Sequence, residues 1–173
     1  MISTASVNDI PELTMLVNSA YRGDASRKGW TTEADLLDGE LRTDEPSLSQ
    51  LLKNPDAVML KFVSDDHITG CVYLEKRANA LYLGMLSVSP IAQAQGIGKK
   101  LLNAAEEYAG QQGCHSIVMT VISVRHELID WYERHGYKRN GETKPFPEDE
   151  RFGKARRPLQ FVVLEKKLAS KSP

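Results

Sequence analysis

The chain predicts an α/β domain built on a mixed sheet. Three observations point there. The apolar spacing switches between helical period and strand period several times along 173 residues. A short apolar strand, "SIVMTVI" (116–122), has helical patterns on both sides, so it reads as parallel to the strand before the first of those helices. And "LSVSPIAQAQGIGKKLL" (86–102) runs from a strand end through two glycines into an amphipathic helix.

Each element follows from its own local pattern. "ISTA" near the start is a candidate first strand. Ile10, Leu13, Leu16, Val17, Ala20 and Tyr21 recur at helical spacing, with Asp9 and Glu12 as a capping box and Pro11 in the first turn. "GDASRKGW" breaks that helix. "TTEADLLDGEL" predicts a short helix capped at Thr31 or Thr32 and ended near Gly39, and "EPSLSQLLKN" predicts another, stopped by "NPD". Three strands come next: 57–64, then 68–77 after the turn "DDH", then 81–88 after "AN". A helix over 96–112 places Leu101, Leu102, Ala105, Tyr108 and Ala109 on one face and ends at Gly113. Beyond the 116–122 strand lie a helix at 127–136, extended "YKRN", a polar loop from Gly141, and a last strand at 159–167.

Composition bounds what such a domain does. With 41% hydrophobic and 26% charged residues, one domain over 1–173 is expected, its core ending near 168 before a short polar tail. A net charge of −1 gives no basic field for nucleic acid. No apolar run approaches the roughly 18 residues of a membrane span, and the N-terminus carries no signal-peptide pattern. Cys71 and Cys114 form no C-x-x-C pair and read as buried thiols. A cytoplasmic location, with no membrane partner and no bound metal, is the expectation.

The glycine turn is an anion site in principle, because free N–H groups and the helix dipole face outward. Two common phosphate loops fail here. A Walker A loop needs glycine where Gln93 stands and serine or threonine where Lys100 stands; a dinucleotide fingerprint needs a third glycine where Leu101 stands. What fits is [QR]-x-x-G-x-[GA], carried by Gln93, Ala94, Gln95, Gly96, Ile97 and Gly98. With "LIDWYERHGY" (128–137) downstream, the chain resembles the GCN5-related N-acetyltransferases, the GNAT superfamily, over roughly residues 1–168. Tyr132, Gly136 and Tyr137 fall on the marked positions of that second signature.

The resemblance implies the GNAT fold, in which the 81–88 and 116–122 strands are parallel and splay apart. It implies acetyl-CoA as cosubstrate. The pyrophosphate would lie on Gln95, Gly96, Ile97, Gly98, Lys99 and Lys100, beside Gln93 and Ala94. The pantetheine arm would pair with the backbone at Leu86, Ser87 and Val88. Two positions depart from the pattern: Ala94 replaces a frequent glycine, and Arg125 stands where many members have an asparagine that contacts the cofactor.

Acetyl transfer needs a neutral amine, a donor at the carbonyl oxygen and a proton for the leaving thiolate. The resemblance makes Tyr132 the acid, since a phenol keeps its proton at neutral pH, and a backbone N–H near Val88 the carbonyl donor. "LYLGMLSV" offers no carboxylate base. Glu75, alternating with Thr69, Cys71 and Tyr73, and Glu33 are the candidates, beside a water relay. Acceptor contacts are expected from "AYRGDASRKGWTTE" (20–33), with Tyr21, Arg22 and Trp30, and from "EDERFGKARRP" (148–158). Arg22, Arg151, Arg156 and Arg157 are candidates to pair with an acceptor carboxylate. The expected activity is acetylation of a small or amino-acid-like amine. A non-catalytic acyl-CoA sensor and a protein N-terminal or lysine acetyltransferase stay open, as does a homodimer.

Overall fold

The computed structural model describes residues 1–93, 95–147 and 150–169. One seven-stranded sheet organises them, in the order β1-β3-β4-β5-β6-β9-β7. The strands are β1 (Ile2–Thr4), β3 (Ala57–Ser64), β4 (His67–Arg77), β5 (Ala80–Val88), β6 (Ser116–Ile122), β7 (Lys138–Pro145) and β9 (Gln160–Lys167). A second, two-stranded sheet pairs β2 (Leu37–Asp38) with β8 (Lys154–Ala155). The helices are α1 (Ile10–Tyr21), the single turn α2 (Gly23–Ser26), α3 (Glu45–Leu52), α4 (Ile97–Gln111) and α5 (His126–Arg134).

Period two sorts the side chains of β4 into two cores. Cys71 and Tyr73 meet Leu13, Val17 and Leu48 of α1 and α3 on one face. Val72 and Leu74 meet Leu101 and Ala105 of α4 on the other, in a core that also holds Ile129 of α5. The candidate strand "ISTA" is real: Ile2 pairs with Phe62. The β3–β4 turn places Asp65 and Asp66 at φ 50° and 62°, the twist a two-residue hairpin requires.

The feature that positions the site lies between β5 and β6. They pair in parallel, but only at Ala80–Ser116, Leu81–Ile117 and Tyr82–Val118. Beyond Tyr82 they part. A β-bulge sits just there: the register between β4 and β5 shifts between Cys71 and Tyr73, and Met85 takes φ 49°. An extra residue in one strand bends it and sharpens its twist, which turns the rest of β5 away from β6.

Three local expectations change. Residues 31–39 are not a helix but a turn leading into β2. The N–H groups of Leu36 and Leu37 both reach Glu33 O, while Ala34 and Leu37 are buried and Glu33 is held by tertiary ion pairs. Tertiary contacts win over a weak helical pattern. The Asp9 carboxylate caps one turn earlier than expected: it accepts from Ser6 N–H at 2.8 Å and pairs with Lys61, which together hold it below the usual carboxylate range. Glu12 instead accepts from Ile68 N–H. Finally, the strand expected over "YKRN" continues to Pro145, because an irregularity between Arg139 and Thr143 absorbs Gly141 and pairing with β9 resumes.

Candidate active site

Two cavities open on the gap between β5 and β6. The larger, about 810 Å³, is a groove under the start of α4, bounded by Leu86, Val88, Gln93, Gly96, Gly98, Lys99, Trp30 and Trp131 among others. The smaller, about 290 Å³, lies between the end of α1 and Phe146, Pro147 and Phe152. Tyr21, Leu86, Arg125, Leu128 and Tyr132 line both.

Backbone groups form the floor and head of the groove. Ser89 N–H bonds Thr69 O at 2.8 Å and Val88 lies opposite Gly70, so by alternation the N–H and C=O of Val88 turn away from β4 toward the gap. Leu86 O turns the same way and accepts from the Tyr21 hydroxyl at 2.8 Å. Ser87 faces the opposite way: its side chain is buried and its Oγ donates to Met85 O. At the head, Gly96 takes φ 74° and starts α4. The first N–H groups of that helix have no carbonyl one turn back and face the groove's end. A Cβ on Gly98 would stand 3.3 Å from the Trp131 ring, so a side chain there would fill the cradle.

Other loop residues divide by role. Lys99 lines the groove, as do Lys28 and Arg134. Lys100 points elsewhere, its Nζ 5.5 Å from the Phe62 ring centre, and exposed Gln95 is not among the groove's walls. Ile97 is core and also borders the groove. Gln93 is a brace: its Oε1 accepts from Trp30 N–H at 2.8 Å and its Nε2 donates to Val88 O at 3.2 Å. Ala94 lies outside the described residues.

Tyr132 sits where the cavities meet. It is 4% exposed, and burial raises its phenol well above the ordinary value, so it carries its proton at any physiological pH. The Trp131 and Tyr137 rings stand 5.2 and 5.8 Å from it, edge-on. Its hydroxyl makes no hydrogen bond among the described residues.

The two candidate bases stand differently. Glu33 reaches the small cavity, yet both its oxygens are taken: Oε1 by Arg22 Nε at 2.9 Å and Oε2 by Arg125 at 3.0 Å. Glu75 is not brought to either cavity. Near the far end of β4, it accepts from Arg77 and from the Tyr73 hydroxyl, which hold its carboxyl below the usual range. A carboxylate already holding two strong donors is a poor proton acceptor.

The acceptor candidates also rearrange. Tyr21 lines both cavities. Trp30, 49% exposed, borders the groove and not the small cavity, its ring 6.3 Å from Trp131. Arg22 lines the small cavity, but its guanidinium also donates to Leu41 O and Phe152 O, so it is a buried knot. Arg156 pairs with Asp38, and neither it, Arg151 nor Arg157 reaches the cavity.

Arg125 and Arg42 carry no sequence assignment to the site, yet both line the small cavity. Arg125, 4% exposed, bonds Glu33 and, at 2.7 Å, the Thr31 hydroxyl, with its Nε unpaired. The two guanidiniums lie 5.7 and 5.5 Å from the Tyr21 ring centre. Arg125 had one signal, its replacement of an asparagine; Arg42 had none. Among the described residues, no group of three His, Cys, Asp or Glu side chains could hold a metal ion, and no helix is long and apolar enough to cross a membrane.

Comparison with known proteins agrees with this geometry. An acetyltransferase of Agrobacterium fabrum is 31% identical over 81 residues, 47% of this chain and 58% of that protein. An uncharacterized N-acetyltransferase of Bacillus subtilis is 28% identical over 105 residues, 57% of this chain and 70% of that one. Among solved structures, the PaiA N-acetyltransferase of Thermoplasma acidophilum in complex with coenzyme A superimposes with TM-score 0.73 at 21% identity, covering 97% of this chain and 98% of that one. A ribosomal-protein-alanine N-acetyltransferase of Brucella melitensis gives TM-score 0.72 at 20% identity, covering 97% and 99%. These two show the shared fold. The profile of the acetyltransferase (GNAT) family matches residues 21–137, from the end of α1 to the tyrosine after α5. The strand gap, the glycine-started helix and that match together place the chain in the GNAT family of acetyltransferases.

Proposed function

We propose that the protein moves the acetyl group of acetyl-CoA directly onto the amine of a small molecule, the two substrates meeting across the gap between β5 and β6. The observation that carries this is the junction, where five residues, Tyr132 among them, line both cavities.

The groove suits CoA. Its floor offers a strand-like amide arm the second lone pairs of the Val88 and Leu86 carbonyls, whose first are taken by Gln93 and Tyr21. Its head offers the free N–H groups after Gly96, with Lys28, Lys99 and Arg134 on the walls, to a pyrophosphate. Bound acetyl-CoA supplies an activated acyl thioester. Tyr132 holds a proton at the junction for the leaving sulfur, and Val88 N–H is the donor for the carbonyl oxygen.

Among the described residues, both candidate carboxylates, Glu33 and Glu75, already hold two donors and neither serves as a free base. An amine of pKa about 10 costs roughly 4 kcal/mol to deprotonate at pH 7. The small cavity lowers that cost through its field: among the described residues its charged walls are Arg22, Arg42 and Arg125 against Glu33, and excess positive charge disfavours an ammonium. The proton leaves to water.

The test is calorimetry with acetyl-CoA, followed by release of free CoA with a panel of small amines. Binding and amine-dependent release are expected. Absence of binding up to about 1 mM, an affinity of only some 4 kcal/mol, contradicts the proposal.

A further inference from the structure

We propose that the acceptor is an amine that also carries a carboxylate and an apolar group, such as an α-amino acid with a hydrophobic side chain, and that Arg42 holds its carboxylate. This rests on the acetyl transfer proposed above.

The small cavity carries two requirements. Among the described residues its charged walls are three arginines and one glutamate, a balance that repels a polyamine and attracts an anion. Two of those arginines are spent. Arg22 holds Glu33, Leu41 O and Phe152 O, and Arg125 holds Glu33 and Thr31 with both terminal nitrogens, leaving only its single Nε–H, which cannot form a fork. Arg42 differs. Its guanidinium lies over the Tyr21 ring, 5.5 Å from the centre, and makes no hydrogen bond or ion pair among the described residues. A planar fork of donors steadied on an aromatic face suits a carboxylate. Most of the remaining lining is apolar or aromatic, Tyr82, Phe146, Phe152 and Phe161 among it, with the Phe146 and Phe161 ring centres 5.2 Å apart and tilted by 40°. A cavity of about 290 Å³ takes a molecule of amino-acid size.

The geometry also sorts the orientation. Tyr21 lies under Arg42 and itself reaches the gap, where its hydroxyl bonds Leu86 O. An acceptor with its carboxylate on Arg42 and its side chain among the phenylalanines points its amine toward the junction. The positive field that holds the carboxylate is the same field that favours the neutral amine.

The experiment measures free CoA released from acetyl-CoA by the whole chain with L-phenylalanine, L-phenylalaninamide, cadaverine and a short peptide beginning with phenylalanine. The expected kcat/KM for L-phenylalanine exceeds that for its amide by about tenfold or more, the worth of one charged hydrogen-bonded pair. Arg42→Gln removes that preference by lowering only the carboxylate value, and Arg42→Lys restores part of it. A preference for the amide, the diamine or the peptide overturns the inference, and so does an equal loss on acid and amide in Arg42→Gln. Calorimetry with acetyl-CoA separates the two levels. Binding without turnover of L-phenylalanine overturns this inference alone; absence of binding overturns the reading beneath it.

Discussion

The groove and the small cavity share one gap in the sheet but are made of different material. The groove is mostly backbone: the outward edge of β5 after the Met85 bulge, and the first N–H groups of α4 after Gly96. The small cavity is mostly side chain, drawn from positions 21, 22, 33, 42, 125, 146, 152 and 161. In the proposed reaction, backbone donors serve a cosubstrate that every turnover shares, and side chains set which amine is admitted and can change without disturbing the donor site.

If the acceptor wall is held by its buried ions, breaking them gives the largest effect. Glu33→Ala leaves Arg22 and Arg125 buried without their shared carboxylate, and the expected loss is about 3–5 kcal/mol of stability. For a chain of this size that is a drop in Tm of roughly 10 °C, read by thermal melting. A drop of under about 2 °C, at the few degrees per kcal/mol of such a chain, shows that the wall stands without the ion knot.

The next largest effect falls on the junction. Tyr132→Phe removes the proton held there and keeps the ring among Trp131 and Tyr137. It lowers kcat about a hundredfold, within the usual range for a positioned acid, and leaves acetyl-CoA affinity in calorimetry unchanged. Unchanged kcat removes Tyr132 from the acid role.

The smallest effect is the pH profile. Because Tyr132 is raised well above the ordinary phenol value, the rate rises with pH as the acceptor amine loses its proton, with no falling limb from this acid below about pH 10. A falling limb between pH 7 and 9 assigns the acid elsewhere. The same burial acts on stability. Tyr21 is pushed up to about 12, so the stability of its neutral form is fully present below the unfolded value near 10 and is lost as pH rises from 10 to 12. Melts across that window check the sign.

The two regions also differ in how much of them the sequence discloses. Gly96 and Gly98 lie two apart beside the strand they follow, so the head of the groove is written in one short stretch. Tyr132 and Gly136 are likewise local to α5 and its stop. The helical patterns on either side of 116–122 likewise announced its parallel pairing with β5. The small cavity could not be foreseen in the same way. Arg42 meets Tyr21 because Asn18 Oδ1 accepts from the backbone N–H groups of Arg42 and Thr43, a contact across 24 residues. Arg125 meets Glu33 across 92. The same long-range pairing replaced the helix expected over 31–39, and it shifts Trp30 to the groove through Gln93. Such contacts follow from the packing of α1, the 27–43 segment and α5, not from any local period.

The most direct test of a donor groove separable from the acceptor cavity is a titration of acetyl-CoA into the wild-type chain, Gly98→Val and Arg42→Gln by calorimetry. A valine at 98 would crowd the Trp131 ring, already 3.3 Å from a Cβ there. The expected result is one molecule bound per chain in the wild type, binding weakened by about tenfold or more in Gly98→Val, some 1.4 kcal/mol, and wild-type affinity in Arg42→Gln. Equal weakening in both variants, or no binding by the wild type, contradicts it.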